Sequence, residues 1–229
     1  YAPDLKAGDI NEVRRLIEKY EMPVLGYTPE HNAYPYNYMI GSEAQRRDAV
    51  DYLKLSLEMA KEMGAEFVLT SPANGGYLAT YDQLWGRLEK NIQELGDYAA
   101  KLEIKLVVEA LTPYESNFFT RANDLVELFR RVDNPYVVGM CDIVPPFVQH
   151  ESIMAYFDKL GNKMDHMHII DGENGSDTHM IPGEGNIPIK EMLYEMKRIG
   201  YDKTATLELV TNYINEPRFY AKRAIDNMR

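Results

Sequence analysis

The chain has a single cysteine, Cys141, in 229 residues. One thiol rules out an intrachain disulfide framework and suits a reducing compartment, so a cytoplasmic setting is expected. Basic residues are also scarce, with 25 Lys and Arg against 36 Asp and Glu and a formal net charge of −11. That balance excludes the basic stripe a nucleic-acid surface needs, and it disfavours an anionic membrane partner. The acidity serves solubility. No apolar run reaches the roughly 18 residues of a membrane span, and the opening residues do not read as a signal peptide. No linker, composition shift or low-complexity tract divides the sequence, so residues 1–229 are read as one domain.

What is present is an ordinary globular balance of 45% hydrophobic and 27% charged residues, enough for one large core. Short apolar runs alternate with amphipathic stretches. Strands are expected near Pro23–Tyr27, Glu66–Thr70, Lys105–Glu109, Val137–Cys141, Asp165–Ile170 and Ala205–Val210, each short enough to be buried on both faces of a parallel sheet. Helices are expected over Ile10–Tyr20, Ser42–Met63, Thr80 to about Lys101, Arg121–Val132, Ser152–Leu160, Ile189–Ile199 and Glu216–Asn227. Ser42 with Gln45, and Thr80 with Gln83, have the spacing of capping boxes. Gly64, Gly161 and Gly200 stand where C-caps belong.

This alternation makes the fold class α/β, and its spacing suits a TIM (β/α)8 barrel. Six strands are visible, and the chain opens on Tyr1 and a helix. A closed barrel needs eight strands. The simplest expectation is an N-terminally truncated barrel lacking its first strand, first helix and second strand. An open six-stranded sheet is the alternative. The long loops, Thr28–Gly41, Ser71–Tyr81, Leu111–Thr120, Ile143–Glu151 and Asp171–Pro188, all follow strands. In a barrel those loops carry function.

Four polar side chains end four of the apolar runs: Glu109 in KLVVEAL, Asp142 in VVGMCDIV, His168 in DHMHIID and Glu208 in TATLELV. A buried carboxylate without a partner costs several kcal/mol, of order 2–7 even for a neutral polar group. One such residue has bland readings, such as a helix cap or an arginine partner. Four in equivalent positions suggest a shared divalent metal. An oxygen and nitrogen donor set suits Mn²⁺, Co²⁺, Ni²⁺ or Mg²⁺ better than a thiolate-seeking ion.

Other candidates surround the quartet. Glu115, six positions beyond Glu109, reads as a rim group for substrate or as a solvated loop carboxylate. His166 shares a strand face with His168 and reads as a core or supporting residue. In SDTHMIPGEGNIP, His179 reads as a substrate contact or a loop residue. Gly183 and Gly185 allow close backbone approach, but PGEG is weak evidence for phosphate, which Glu184 would repel. The loop YTPEHNAYPYNYM, with Tyr34, either walls a polar ligand or packs over the barrel mouth. Trp85 is similarly divided. Cys141 is read as structural.

At these residues the chain resembles the xylose-isomerase-like TIM-barrel sugar epimerases, the group that includes D-tagatose 3-epimerase and L-ribulose-5-phosphate 3-epimerase. The stretches GYTPE, LTPYESN, YFDKLG, SDTHMIPGEG and ELVTNYINEPRFYA carry the likeness, which covers essentially the whole chain. It implies that Glu109, Asp142, His168 and Glu208 bind one divalent metal and that Glu115 contacts substrate oxygen. It also implies that Glu109 and Glu208 lie on opposite faces of a ketose. There they serve as acid and base in inverting carbon 3 through a cis-enediolate. Homo-oligomers are common in that family.

Two departures bear on the substrate. The family's histidine three residues after the aspartate ligand is Pro145 here, and its arginine six residues after the histidine ligand is Asn174. Both disfavour free hexuloses and suit a ketose with an amine-linked appendage at carbon 1. No basic phosphate clamp is visible. The alternatives are another sugar or sugar-phosphate isomerase or epimerase, or a polyol dehydratase, on the same metal site. A non-catalytic sugar-binding protein and an apurinic-site endonuclease complete the set. The last needs more than five histidines and a basic groove.

Overall fold

The computed structural model describes residues 1–32, 35–173, 175–210 and 213–229. Six parallel strands run in chain order across one sheet: β1 (Gly26–Tyr27), β2 (Phe67–Thr70), β3 (Lys105–Val108), β4 (Val137–Asp142), β5 (Met164–Ile169) and β6 (Thr204–Leu207). Helices connect them: α1 (Ile10–Tyr20), α2 (Glu43–Met63), α3 (Tyr81–Leu102), α4 (Ala122–Arg131), α5 (Val144–Val148), α6 (Met154–Leu160), α7 (Ile189–Ile199) and α8 (Pro217–Asn227).

Local chemistry sets the helix ends. Ser42 and Thr80 each accept a backbone N–H from the glutamine three residues on, and each glutamine accepts the cap residue's own N–H. Both expected capping boxes are therefore formed. Gly64 and Gly200 close α2 and α7 with φ of 78° and 75°, a left-handed turn that glycine makes without a Cβ clash. The short α5 stands inside a stretch expected as loop. Its Pro145 and Pro146 fall in the first turn, where a missing N–H costs nothing.

The sheet has two different faces. Alternate side chains point outward into a large apolar layer shared with the helices. The other set points inward, where Phe67, Leu69, Val107, Val138 and Met140 form a separate small core. The inner set shows that the sheet curls. Phe67 on β2 and His166 on β5 are three strands apart, about 14 Å in a flat sheet, yet their ring centroids lie 4.7 Å apart. Gly26 makes room for this: a Cβ there would sit 2.2 Å from the Phe67 ring. Below them, Lys105 Nζ reaches both oxygens of Asp165 at 2.8 Å across the intervening β4. The architecture is thus a curled α/β barrel sheet of the TIM (β/α)8 class, with its inner face packed upon itself.

Four strands, β1, β2, β3 and β6, are shorter than expected, whereas β4 runs one residue further, to Asp142, and β5 is shifted back by one. The β1 ladder holds two pairs and β6 ends at Leu207. Pro23 has no N–H to give a ladder. Glu109 and Glu208 each follow directly on the last residue of their strand.

Candidate active site

A register shift assembles the site. Gly139 pairs with Met164, but the next residue, Met140, pairs with His166. The extra residue on β5 is Asp165, a β-bulge. Side chains alternate, so a one-residue slip exchanges the faces. Because of the bulge, His166 and His168 point inward, with His168 directly opposite Asp142. Glu109, level with the top of β3, donates its N–H to Thr70 O at 3.0 Å and so continues the ladder one step.

The four strand-end residues converge. His168 Nδ1 lies 3.1 Å from Glu208 Oε2, 3.6 Å from Glu109 Oε1 and 3.7 Å from Asp142 Oδ2. Glu109, Asp142 and His168 are buried, and Glu208 is half-buried. Asp142 Oδ1 accepts the Val144 N–H at 2.7 Å, which leaves Oδ2 to face the histidine. His179 joins from the loop after β5. Its Nε2 stands 3.3 Å from Glu208 Oε2 and 3.6 Å from Asp142 Oδ2, and its Nδ1 is 3.5 Å from Asp177 Oδ1.

Glu115 sits at the rim. Its Oε2 accepts both the N–H and the hydroxyl of Thr112, whose Oγ1 also lies 2.9 Å from Asp177 Oδ2. Tyr114 OH donates to Gly175 O. The loops after β3 and β5 therefore brace each other over the cluster. Tyr34 and Asn174 lie outside the described residues. Pro145 borders the cavity.

Three sites have roles that sequence patterns left open. In the tyrosine-rich loop, Tyr36 stacks on Tyr52 and Tyr38 is buried with its OH on Ser71 O, so these tyrosines are packing. Pro29, His31 and Asn32 of that loop line the cavity instead. His31 is fully enclosed. Its Nε2 accepts the Ser71 N–H at 2.9 Å and its Nδ1 lies 2.7 Å from Pro29 O, so Nδ1 carries the proton. The glycine loop holds a carboxylate of its own chain. Asp171 accepts N–H groups from Gly172, Gly183 and Ile187 at 2.8–2.9 Å, which occupies the donors a phosphate would use. Trp85 packs in the outer layer, with the Arg131 guanidinium 4.9 Å above its ring.

Charge controls the protonation states. Burial, with Asp142 and Glu208 nearby, pushes the Glu109 carboxyl well up. Burial also works to raise Glu208, but the His168 and His179 imidazoles overcome it and hold that carboxyl below the usual range. Burial works to lower both imidazoles. The carboxylates outweigh it, lifting His168 well above its ordinary value and His179 to about 11. Burial, helped by the neighbouring His168, holds His166 down to about 4, and burial likewise keeps His31 neutral. Burial and Asp142 push the Cys141 thiol well up, so it is no nucleophile.

This donor set fits a divalent cation. Three carboxylates surround one imidazole nitrogen that is buried and has no hydrogen-bond partner. Metal–ligand distances of about 2.0–2.2 Å give coordination-polyhedron edges of about 3.0–3.4 Å. Of the separations about His168 Nδ1, the 3.1 Å to Glu208 matches such an edge and the 3.6 and 3.7 Å to Glu109 and Asp142 are slightly longer. The ligand atoms form two overlapping triads, Glu109–Asp142–His168 and Asp142–His179–Glu208, each within 4.8 Å, that share Asp142. The cavity over the cluster has a volume of about 240 Å³, and neither lysine nor arginine lines it among the described residues. Among those residues no helix is long and apolar enough to cross a membrane.

A family model described as xylose isomerase-like TIM barrel matches residues 1–229. Fructoselysine 3-epimerase of Shigella flexneri is 48% identical over 229 residues, spanning 100% of this chain and 83% of that protein. Among solved structures, 3-keto-D-glucoside 4-epimerase from E. coli superposes with a TM-score of 0.80 at 15% identity, covering 95% of this chain and 83% of that one. D-psicose 3-epimerase with D-tagatose, from Clostridium cellulolyticum H10, gives 0.75 at 20% identity, covering 90% and 72%.

Proposed function

The chain belongs to the xylose isomerase-like TIM barrel family and is an epimerase, and we propose that it inverts carbon 3 of a ketose-amine, interconverting fructoselysine and psicoselysine. One observation carries this reading. Two carboxylates, Glu109 just past β3 and Glu208 just past β6, approach the same nitrogen from different strand ends, 3.6 and 3.1 Å from His168 Nδ1. Inversion needs a proton acceptor on one face of carbon 3 and a donor on the other.

The hydrogen on carbon 3 is acidified by the carbonyl at carbon 2. One glutamate takes that proton, and the bonding pair moves onto the carbonyl oxygen to leave a cis-enediolate. The opposite glutamate returns a proton on the far face. A positioned acid or base contributes typically about 10²–10⁴-fold. Glu109, Asp142, His168 and Glu208 would hold the divalent ion, of the Mn²⁺, Co²⁺, Ni²⁺ or Mg²⁺ type. When bound, it supplies Lewis-acid polarisation of the carbon 2 and carbon 3 oxygens. His179 and Glu115, on either side of the cluster, are the substrate-contacting groups, with Tyr34 assigned to the same role from sequence.

The cavity's charge supports a cationic substrate. Apart from the residues that would hold the ion, Glu30 and Glu115 line it with His179, and neither lysine nor arginine does among the described residues. A phosphate would find no lysine or arginine clamp there, whereas the Glu30 and Glu115 carboxylates attract the ammonium of an amine-linked sugar.

The test is exchange at carbon 3. The chain is loaded with Mn²⁺ or Co²⁺ and incubated with fructoselysine in deuterated water, with D-tagatose and D-fructose alongside, and followed by NMR. Deuterium at carbon 3 with a psicose-configured product is the expected result. Exchange only with a free ketose moves the substrate, an aldose product moves the reaction to isomerisation, and binding without exchange leaves a sugar-binding protein.

A further inference from the structure

We propose that His166 is a positioning residue for this reaction: it holds the hydroxyls of Thr204 and Thr206 on β6 and through them sets Glu208 against His168. The inference rests on reading Glu208 as one of the two proton-transfer groups.

The geometry is that of a brace. Thr204, Thr206 and Glu208 succeed one another on the inward face of β6. The last pair in the β5–β6 ladder is Ile169 with Leu207, so Glu208 lies just beyond the backbone hydrogen bonds. Its position depends on what fixes the residues below it. Both ring nitrogens of His166 serve that purpose, Nδ1 at 2.7 Å from Thr204 Oγ1 and Nε2 at 3.1 Å from Thr206 Oγ1. A neutral imidazole donates through one nitrogen and accepts through the other, and a hydroxyl can answer either. The pairing is therefore complete whichever tautomer is present.

The brace is itself held. His166 is 1% exposed. The Phe67 ring closes on it from β2 at 4.7 Å, in space that Gly26 leaves free. On its upper side the His168 ring meets it edge to face at 5.5 Å. One strand, β5, thus carries both the group Glu208 must face and the group that fixes the approach of β6. A leucine at this position would fill the space equally well but would take from two half-buried hydroxyls the partner that holds them in place. Space-filling alone does not explain an imidazole here. Sites of this kind tolerate misplacement of only about 0.5 Å, so loss of the brace should act on chemistry before it acts on folding.

The experiment uses the full chain and the variants Thr206→Val, Thr206→Ser, His166→Phe and the Thr206→Val/His166→Phe double. Thr206→Val is nearly isosteric, which guards against simple misfolding. Three quantities are read on each: the melting temperature, Mn²⁺ affinity by calorimetry, and kcat and KM for carbon 3 exchange. The expected result for Thr206→Val and His166→Phe is a loss of about 10–100-fold in kcat and about tenfold in Mn²⁺ affinity, with KM changed little. The double variant should be no worse than His166→Phe alone, because Thr206→Val removes one of the two hydrogen bonds that His166→Phe already removes. Thr206→Ser, which keeps the hydroxyl, should recover most of both quantities. Additive losses, or a lowered melting temperature with Mn²⁺ affinity and kcat unchanged, would overturn the proposal. If the unaltered chain binds Mn²⁺ but exchanges no proton, the reaction is misassigned, and the Mn²⁺ titrations alone still decide the positioning role.

Discussion

His168 faces Asp142 across the β4–β5 ladder because β5 carries one residue more than β4 where the two begin to pair. Without the extra residue, alternation would turn His168 to the outer layer. The pair brings a carboxylate with one spare oxygen to a histidine nitrogen with no hydrogen-bond partner. It follows that Asp142→Asn should weaken Mn²⁺ binding by at least about tenfold. The melting temperature of the metal-free protein should not fall. The amide oxygen still accepts the Val144 N–H, and Glu208 still faces both the His168 and His179 imidazoles, at 3.1 and 3.3 Å. Melts with chelator and with Mn²⁺ give both quantities. A large loss of metal-free stability would mean that Asp142 serves the fold instead.

Glu208→Gln separates binding from chemistry. A carboxamide preserves shape and one oxygen but takes up no proton. Turnover of fructoselysine should drop by about 10²–10⁴-fold while the fold persists. Glu109→Gln should have the same consequence from the other face. Single-turnover exchange in deuterated water, run with the psicose-configured and fructose-configured epimers separately, shows which glutamate serves which face. Near-normal activity in either variant would remove that glutamate from the mechanism.

Much of this was legible in the residues. Strands buried on both faces announce themselves as short apolar runs, and two capping boxes and two glycine caps mark helix ends at residue precision. Glu109, Asp142, His168 and Glu208 could be singled out because charge at the end of an apolar run is costly. The bulge at Asp165 was not legible. It changes no residue type, only which residue pairs with Gly139 and which with Met140. Nor could Asp171 be separated from a ligand. It is also a carboxylate just past a strand, and only its three backbone donors show that it ties down the glycine loop. His31 was hidden among tyrosines that fill space, its role visible only through the Ser71 N–H.

Gly26 leaves the inner face of the sheet room for the Phe67 ring. An alanine Cβ there would lie 2.2–2.8 Å from three atoms of the Phe67 ring. The ring cannot retreat freely, because His166 stands against its other side. Overpacking of this kind typically costs about 1–3 kcal/mol. Gly26→Ala should lower stability by about that much in urea, and by displacing Phe67 it should also reduce carbon 3 exchange. A second change, Phe67→Leu, should restore part of the stability by clearing the space. Stability unchanged in Gly26→Ala would show that Phe67 can move without cost.

His31 should give the fold a distinct sensitivity to acid. Its Nε2 accepts the Ser71 N–H, so protonation would set one N–H against another inside a buried pocket. Burial is the main reason its folded pKa lies below the ordinary 6.5. In the unfolded chain the ring titrates near 6.5. Above that pH neither state binds the proton and the stabilisation is fully present. Below it the unfolded state takes up a proton that the folded state refuses, so stability falls as pH drops from 6.5 toward the folded pKa. The loss approaches about 1.4 kcal/mol per pH unit for a single proton. His166, held down to about 4, acts in the same direction, and the histidines at the carboxylate cluster titrate in the opposite sense. Only the difference from a His31→Gln variant isolates one ring. Urea unfolding of both proteins at pH 7.5, 6.5, 5.8 and 5.2 should show the parent losing stability more steeply below 6.5, although the variant is less stable at every pH. Parallel curves would mean that His31 accepts its proton in the folded protein, and the Nδ1-protonated tautomer assigned to it would be wrong.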